Sequence, residues 1–424
     1  IRFHWCSLCR MLPGSGSGAR IIRTPTDMVE AMLMAWPFNK VGNMSYYEHE
    51  VVGHPDVELG LCGERQVRYR IHGAEQAGSG LVVYIPGFGG DLGAYSQVFC
   101  EKVAAQHGMA ALCVDYFCMR SRPAVGAAIS LLPEERERAL ALLGLPAKTP
   151  DTALLRALDE VQPAAPLRFQ GVLVPPDGAY QNFGVMAALD ILNAIEDAML
   201  RYGGNRDNLI LVGSSYGGYL AQLVNKFRPG YVRALFDNSS WAEPNLAYVV
   251  GRDIGAVEYQ CSLQGGVELA LCVDSPWRMV VGHPHEFDVD AFIIRAFSAS
   301  QLDQMAAQGG TQTFCLMVHA IHDAISPADA KLAMARAMLA RGFNAELILF
   351  DESSVDGEFI RNMEHGMGLS MLQFFAQGLA LLAERSPAFT ATRAAEVALH
   401  AGHSVYQLNF ANPEVRLQRQ RIEA

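Results

Sequence analysis

The chain has 424 residues, of which 50% are hydrophobic and 18% charged, and its formal net charge is −11. Such a composition is typical of a folded globular protein that is long enough for one large α/β domain with insertions, or for two ordinary domains. The negative charge argues against a nucleic-acid partner, which would need clustered Lys and Arg. No apolar run approaches the roughly 18 residues that a membrane-spanning helix needs.

The first 43 residues differ in composition from the rest of the chain. They contain the stretch "GSGSG" and no acidic residue before Asp27, and they lack the continuous apolar segment of a signal peptide. We therefore expect residues 1–43 to be a peripheral extension. The main domain is expected to cover residues 44–387, and residues 388–424 to be a C-terminal extension.

The nine cysteines are odd in number, and no secretion signal accompanies them. Both features favour reduced thiols and a cytoplasmic location over a framework of disulfides. Cys6 and Cys9 form a C-x-x-C pair, but no second pair follows downstream. An incidental pair near the terminus is therefore favoured over a zinc or redox site.

From Val51 onward, predicted strands alternate with predicted helices. The predicted strands cover residues 66–73, 81–87, 110–117, 208–214, 232–240, 313–323 and 345–352. The predicted helices cover residues 94–108, 182–203, 217–227, 327–342 and 367–384. Because most of these strands are short, continuous apolar runs, they predict a mostly parallel sheet with helices on both faces.

Two long segments interrupt the alternation of strands and helices, at residues 118–181 and 241–312. The first is rich in Ala, Leu, Pro and charged residues, which favours short helices. Both segments leave the sheet at the carboxyl ends of strands, where ligands bind in open α/β sheets. We expect them to form a helical lid; the alternative is a structural addition that does not contact a ligand.

The segment "NLILVGSSYGGYLAQL" predicts a strand, a tight turn and a helix around a G-x-S-x-G motif. In this context the motif indicates a nucleophile elbow, in which a sharp turn presents a serine side chain. Gly213 and Gly217 bracket Ser215 symmetrically, whereas Ser214 would need a glycine at position 212. Ser215 is therefore the predicted nucleophile, and the alternative is a simple Gly/Ser turn.

A nucleophilic serine needs a histidine base and an acid that orients the histidine. Asp323 follows a predicted strand in "VHAIHDAISP", and His365 follows the last predicted strand in "RNMEHGMG". Their order after Ser215 is the one that this arrangement requires. Two alternatives are open for the acid position: Asp323 could cap the next helix, and Asp237 could serve as the acid. His319 and His322 lie near Asp323, but a metal site there would need further ligands.

The oxyanion of the reaction would need backbone N–H donors. We expect one from Tyr216, directly after the nucleophile, and one from Phe88 in the loop "PGFGG", with Gly89 as the alternative to Phe88. The glycine-rich stretch "GFGGDLG" lacks the Lys and Ser/Thr of a phosphate-binding P-loop. A nucleotide site is therefore disfavoured, and neither a metal nor an organic cofactor is expected.

With these motifs the chain resembles the α/β-hydrolase superfamily over residues 60–385. It is most similar to an uncharacterised bacterial family that is known only as a domain of unknown function. The similarity rests on "HPDVELG", "IPGFGGDLGAY", "VDYFCMRSRP", "QNFGVMAALDILNA", "GSSYGGYLAQL", "FDNSSWAEP" and "VDGEFIRNMEHGMG". Members are often encoded near genes for flagellin glycosylation with nonulosonic acid sugars, which implies a carbohydrate-related role. Pro86 and Tyr216 depart from the pattern, because a histidine is expected at each position.

The sequence thus predicts a serine hydrolase of esterase type that acts on a small acyl ester, with an O-acyl sugar as one candidate substrate. An acyltransferase would use the same three side chains but would exclude water. A non-catalytic binding protein on a hydrolase fold is a third hypothesis, because a fold does not determine function. The oligomeric state is left open by the sequence.

Overall fold

The structure is a computed structural model that describes residues 22–23, 46–386, 388–410 and 414–422. Its strands are β1 (Ile22–Arg23), β2 (Tyr46–Gly53), β3 (Arg65–His72), β4 (Leu81–Ile85), β5 (Ala110–Val114), β6 (Ala128–Leu131), β7 (Leu167–Val174), β8 (Leu209–Ser214), β9 (Ala234–Asn238), β10 (Tyr259–Ser262), β11 (Val267–Val273), β12 (Phe314–Ala320), β13 (Ala345–Phe350), β14 (Glu396–Ala401), β15 (Ser404–Asn409) and β16 (Arg416–Arg421). Its α-helices are α1 (Ala94–His107), α2 (Pro133–Leu143), α3 (Asp151–Asp159), α4 (Val185–Tyr202), α5 (Tyr216–Phe227), α6 (Leu246–Ile254), α7 (Val289–Arg295), α8 (Ala299–Ala307), α9 (Ala328–Ala340) and α10 (Met371–Arg385).

The central sheet has the strand order β1-β13-β12-β9-β8-β4-β5-β3-β2. Strand β3 pairs antiparallel with both β2 and β5, and the other neighbours pair in parallel. Strands β4, β5, β9 and β12 are buried along their whole length. Helices α1 and α10 pack together on this sheet, as do α4 and α5. The predicted mostly parallel sheet, covered by helices, is therefore confirmed.

The two long insertions are not purely helical, and this corrects the sequence-based expectation. Each contributes two strands to a second sheet of order β10-β11-β7-β6, in which β7 and β11 pair in parallel. Helices α2 and α3 pack beside this sheet. The signal for β7 was present, because Phe169, Gly171 and Leu173 are buried on one face and alternate with more exposed residues. We call this sheet with its helices the lid.

Both terminal segments contact the main body through the residues that the structure describes. Strands β14, β15 and β16 form an antiparallel sheet that packs against α7 and α8. At the other end, β1 pairs with the edge strand β13 through two residues of the extension that we expected to be peripheral. Cys6 and Cys9 lie outside the described residues.

The described part of the chain contains no helix that combines the length and the apolar character needed to cross a membrane. Within the same residues every cysteine is a free thiol.

Candidate active site

The turn between β8 and α5 holds Ser215 in a strained backbone conformation, with φ 57° and ψ −124°. The flanking glycines are needed because the turn brings backbones very close together. A Cβ on Gly217 would lie 1.9 Å from the carbonyl oxygen of Ile85, and one on Gly213 would lie 2.3 Å from that of Gly217. Strain at a non-glycine residue is a frequent feature of functional sites. The turn thus has the geometry of a nucleophile elbow.

The structure brings Ser215, His365 and Asp323 together in a hydrogen-bonded chain. The Ser215 Oγ lies 2.7 Å from Nε2 of His365. On the other side of the ring, Nδ1 of His365 lies 2.8 Å from Oδ2 of Asp323. Asp323 follows β12, and His365 lies in the loop between β13 and α10, so the three residues come from three separate strand ends. All three therefore meet at the carboxyl edge of the central sheet.

The Asp323 carboxylate is buried and well supported by hydrogen bonds. Its Oδ1 accepts from the backbone N–H groups of Ile325 and Ser326, each at 2.9 Å. Burial alone would raise the pKa of Asp323, but the bond with His365 and these N–H groups lower it below its usual value. An ionised Asp323 favours a proton on Nδ1 of His365 and leaves Nε2 free to accept one from Ser215.

Asp237, the alternative acid, is engaged elsewhere. Its Oδ2 forms an ion pair with the buried Lys331 at 2.9 Å and accepts a hydrogen bond from Ser240 at 2.6 Å. It makes no hydrogen bond with His365. The structure thus brings Asp323, and not Asp237, to the histidine.

The two histidines near Asp323 in sequence differ in burial. His319 is buried behind Asp323, with Nε2 3.6 Å from Oδ2 of Asp323, and burial lowers its pKa. His322 is exposed. Among the described residues, no three His, Cys, Asp or Glu side chains are grouped so that they could hold a metal ion.

The two residues expected to donate to the oxyanion, Phe88 and Tyr216, have rings that stack on each other. Tyr216 begins α5, so its N–H belongs to the first turn and has no acceptor within the helix. The Phe88 ring stacks on the Tyr216 ring at a centroid distance of 4.0 Å. The loop between β4 and Phe88 also passes beside Ser215, because a Cβ on Gly87 would lie 3.6 Å from the Ser215 Oγ.

Two aromatic side chains that the sequence did not single out, Trp241 and Tyr248, extend from the histidine to Phe88. Trp241 lies 5.9 Å from His365 between ring centroids, and Tyr248 lies 5.3 Å from Trp241. Tyr248 in turn stacks on Phe88 at 5.3 Å. We call Trp241, Tyr248 and Phe88 the aromatic wall. Its only sequence signal was the position of Trp241 directly after a predicted strand.

A serine at a strand-to-helix turn, with an aspartate and a histidine after later strands of a mostly parallel sheet, is the arrangement of the α/β-hydrolase fold. The structure of acylaminoacyl peptidase from Pyrococcus horikoshii is similar to the structure of this chain. The sequence identity is 12% and the TM-score is 0.41, and the match covers 85% of this chain and 43% of the peptidase. The chain thus spans less than half of that peptidase. An esterase from Pyrococcus furiosus is similar with 10% identity, a TM-score of 0.41 and coverage of 84% and 100%.

No curated protein matches the chain in sequence. A family model does match it, over residues 47–419, which is most of its length. Residues 1–43 lie outside this match, whereas residues 388–419 of the expected C-terminal extension lie inside it. The chain therefore belongs to the family described as protein of unknown function, DUF2920.

Proposed function

We propose that this protein is a serine hydrolase that cleaves a small acyl ester through an acyl intermediate on Ser215. The observation that carries the proposal is the continuous hydrogen-bonded path from the Ser215 Oγ through the His365 ring to Asp323. A serine hydroxyl is a weak nucleophile unless a base takes its proton, and His365 is within reach to do so.

In the first half of the proposed reaction, the Ser215 Oγ attacks the carbonyl carbon of the ester while Nε2 of His365 takes its proton. Asp323 stabilises the resulting imidazolium. The backbone N–H groups of Phe88 and Tyr216 are the proposed donors to the oxyanion, and each such donor contributes about 3 kcal/mol in a well-studied protease. When the intermediate collapses, the carbon–oxygen bond to the alcohol breaks and His365 returns the proton to the alcohol oxygen.

In the second half, His365 takes a proton from water, and the hydroxide formed attacks the acyl carbon. The bond between that carbon and the Ser215 Oγ then breaks, the carboxylic acid leaves and the proton returns to Ser215. The proposed route needs no metal or organic cofactor, because Ser215 and His365 supply both the nucleophile and the base.

Two features support a compact substrate. The lid segments leave the central sheet directly after β5 and β9, beside the strand ends that carry the site. Trp241 of the aromatic wall places an apolar ring next to His365, and an apolar neighbour of this kind suits an acyl chain or the ring of a substrate. An O-acyl sugar is the narrower substrate class that we propose, and its support is the family resemblance.

The test is labelling by a fluorophosphonate probe together with turnover of short-chain para-nitrophenyl esters. We expect the wild-type protein to be labelled and to hydrolyse the esters, and Ser215→Ala to do neither. Ser214→Ala is the matched control, because it removes the neighbouring hydroxyl in the same turn and should still be labelled. Equal ester turnover by wild type and Ser215→Ala would exclude the proposed mechanism.

A further inference from the structure

An arginine–glutamate pair lies at the far end of the aromatic wall. Arg122 comes from the first insertion and Glu258 from the second, and Nη1 of Arg122 lies 2.8 Å from Oε1 of Glu258. The guanidinium carbon lies 5.1 Å from the centre of the Phe88 ring. A Cβ on Gly89 would lie 2.9 Å from the Arg122 side chain. The pair therefore lies against the loop that is expected to hold the oxyanion.

Glu258 neutralises Arg122 without saturating it with hydrogen bonds. Its side chain is 0% exposed, and Nη1 of Arg122 is its charged partner. Burial raises the pKa of Glu258 to about 7, although Arg122 opposes the shift. A carboxylate buried in this way costs free energy unless a charge compensates it. The ion pair thus fixes the position of Arg122 but leaves most of its N–H groups unused.

The free N–H groups of Arg122 face solvent. A guanidinium carries five N–H donors, and among the described residues only Nη1 finds acceptors, chiefly the carbonyl oxygen of Ser121 at 3.0 Å. Nε and Nη2 of Arg122 reach solvent, and the side chain is 13% exposed. A positioned cation therefore presents unused donors at the surface of the site.

The aromatic wall connects this cation to the nucleophile. Ring centroids lie 5.9 Å apart for His365 and Trp241, 5.3 Å apart for Trp241 and Tyr248, and 5.3 Å apart for Tyr248 and Phe88. The guanidinium carbon of Arg122 then lies 5.1 Å from the centre of the Phe88 ring. Gly87, the chain neighbour of Phe88, lies beside the Ser215 Oγ, so this one loop is next to both the serine and Arg122.

We propose that Arg122 binds a carboxylate of the substrate, so that the preferred substrates are acyl esters carrying a carboxylate on the acyl or the alcohol part. The planar guanidinium fork matches a carboxylate in two parallel hydrogen bonds, a geometry that a neutral ester cannot offer. This inference rests on the proposed hydrolase function and adds the charge of its substrate. If the Arg122–Glu258 pair only joined the two insertions, its loss would affect charged and neutral substrates equally.

The first experiment compares substrates that differ only in charge. On the alcohol side, para-acetoxybenzoate is compared with its methyl ester; on the acyl side, the para-nitrophenyl monoester of adipic acid is compared with its methyl ester. In at least one pair, wild type should favour the anion, and Arg122→Gln should lower the anion-to-neutral ratio of kcat/KM about tenfold or more, since charge-assisted hydrogen bonds are lost. The pair that responds identifies the side that carries the carboxylate.

Arg120→Gln is the matched control, because Arg120 lies two residues away and forms ion pairs with Asp115, at 3.5 Å, and with Asp177. It should leave both ratios unchanged. At about pH 8, where Glu258 has lost its proton, Glu258→Gln should raise the preference for the anion, because it removes the competing negative charge. An anion-to-neutral ratio that stays the same in Arg122→Gln and Glu258→Gln would overturn the proposal.

A binding measurement separates this inference from the proposed reaction. In Ser215→Ala, which cannot form the acyl intermediate, calorimetric titration with the same pairs should show tighter binding of the anion. The double variant Ser215→Ala/Arg122→Gln should lose that difference. Ester turnover that is independent of Ser215 would refute the hydrolase proposal, whereas equal binding of anion and neutral ester would refute the role of Arg122.

Discussion

The side chain of Asn238 is hydrogen-bonded to the carbonyl oxygen of Gly366, through Nδ2 at 3.1 Å. The same Nδ2 lies 3.1 Å from the Oγ of Ser214, and the Asn238 carbonyl oxygen accepts from the Ser215 N–H at 2.7 Å. Gly366 and Ser214 are the chain neighbours of His365 and Ser215. One buried amide at the end of β9 thus links the histidine loop to the nucleophile turn.

This link predicts that Asn238→Ala lowers kcat for ester turnover about tenfold or more, with a small change in KM. The reason is that a shift of His365 relative to Ser215 by a fraction of an ångström disturbs proton transfer more than substrate binding. Steady-state kinetics measure both constants. Asn205→Ala removes a capping side chain just before the amino end of β8, at the other end of that strand from Ser215. This variant should be less stable but keep the kcat of wild type. A kcat equal to that of wild type in Asn238→Ala would contradict the positioning role.

The two candidate acids predict opposite effects of substitution. Asp323→Asn should lower kcat by about a thousandfold or more, because His365 loses the group that selects its tautomer. Asp237→Asn should lower the free energy of unfolding by about 3 kcal/mol, because the buried Lys331 loses its charged partner, and turnover per folded molecule should persist. Urea unfolding and turnover of a para-nitrophenyl ester measure the two properties. The reverse pattern would reassign the acid to Asp237.

The strain at Ser215 predicts a gain in stability when glycine replaces it. Because glycine adopts φ 57° and ψ −124° without a clash, Ser215→Gly should be more stable than Ser215→Ala by about 1 kcal/mol. Both variants lack the hydroxyl, so the comparison isolates the backbone. Thermal unfolding provides the measurement. Equal midpoints would mean that the elbow stores no strain at this residue.

Burial of Glu258 predicts a pH-dependent stability. Its pKa is raised from 4.5 to about 7 in the folded protein, so the folded state keeps a proton that the unfolded chain has released. This stabilisation is present below the unfolded pKa and is lost as pH rises through about 7, a loss of about 3 kcal/mol. Urea unfolding from about pH 5 to about pH 8 should show this fall in wild type and not in Glu258→Gln. Glu268→Gln, at an exposed position of the lid sheet, should behave as wild type.

The N-terminal extension is predicted to be dispensable for folding. A chain that begins at Met44 loses the pairing of β1 with the edge strand β13, which involves only two residues. Its thermal midpoint should fall by less than about 5 °C relative to the full chain. A larger fall would show that residues 1–43 contribute substantially to the packing of the main body.

Local features of the sequence determined most strands of the central sheet and the nucleophile turn. The apolar runs predict the strands of the central sheet because burial on both faces requires them, and Gly213 and Gly217 mark the turn because no side chain fits there. The order of Ser215, Asp323 and His365 along the chain predicts that they follow separate strands of one sheet edge. Each of these inferences needs only a few neighbouring residues and a knowledge of strand ends.

Only the tertiary structure decided which distant groups meet. Asp237 lies at the end of β9 and Asp323 follows β12, so both are placed to be the acid. The ion pair of Asp237 with Lys331 in α9 leaves Asp323 as the partner of His365. The pairing of β7 with β11 likewise joins two insertions that are far apart in the chain, and so produces the contact between Arg122 and Glu258. These contacts depend on strand order and packing across the whole fold, which local periodicity does not encode.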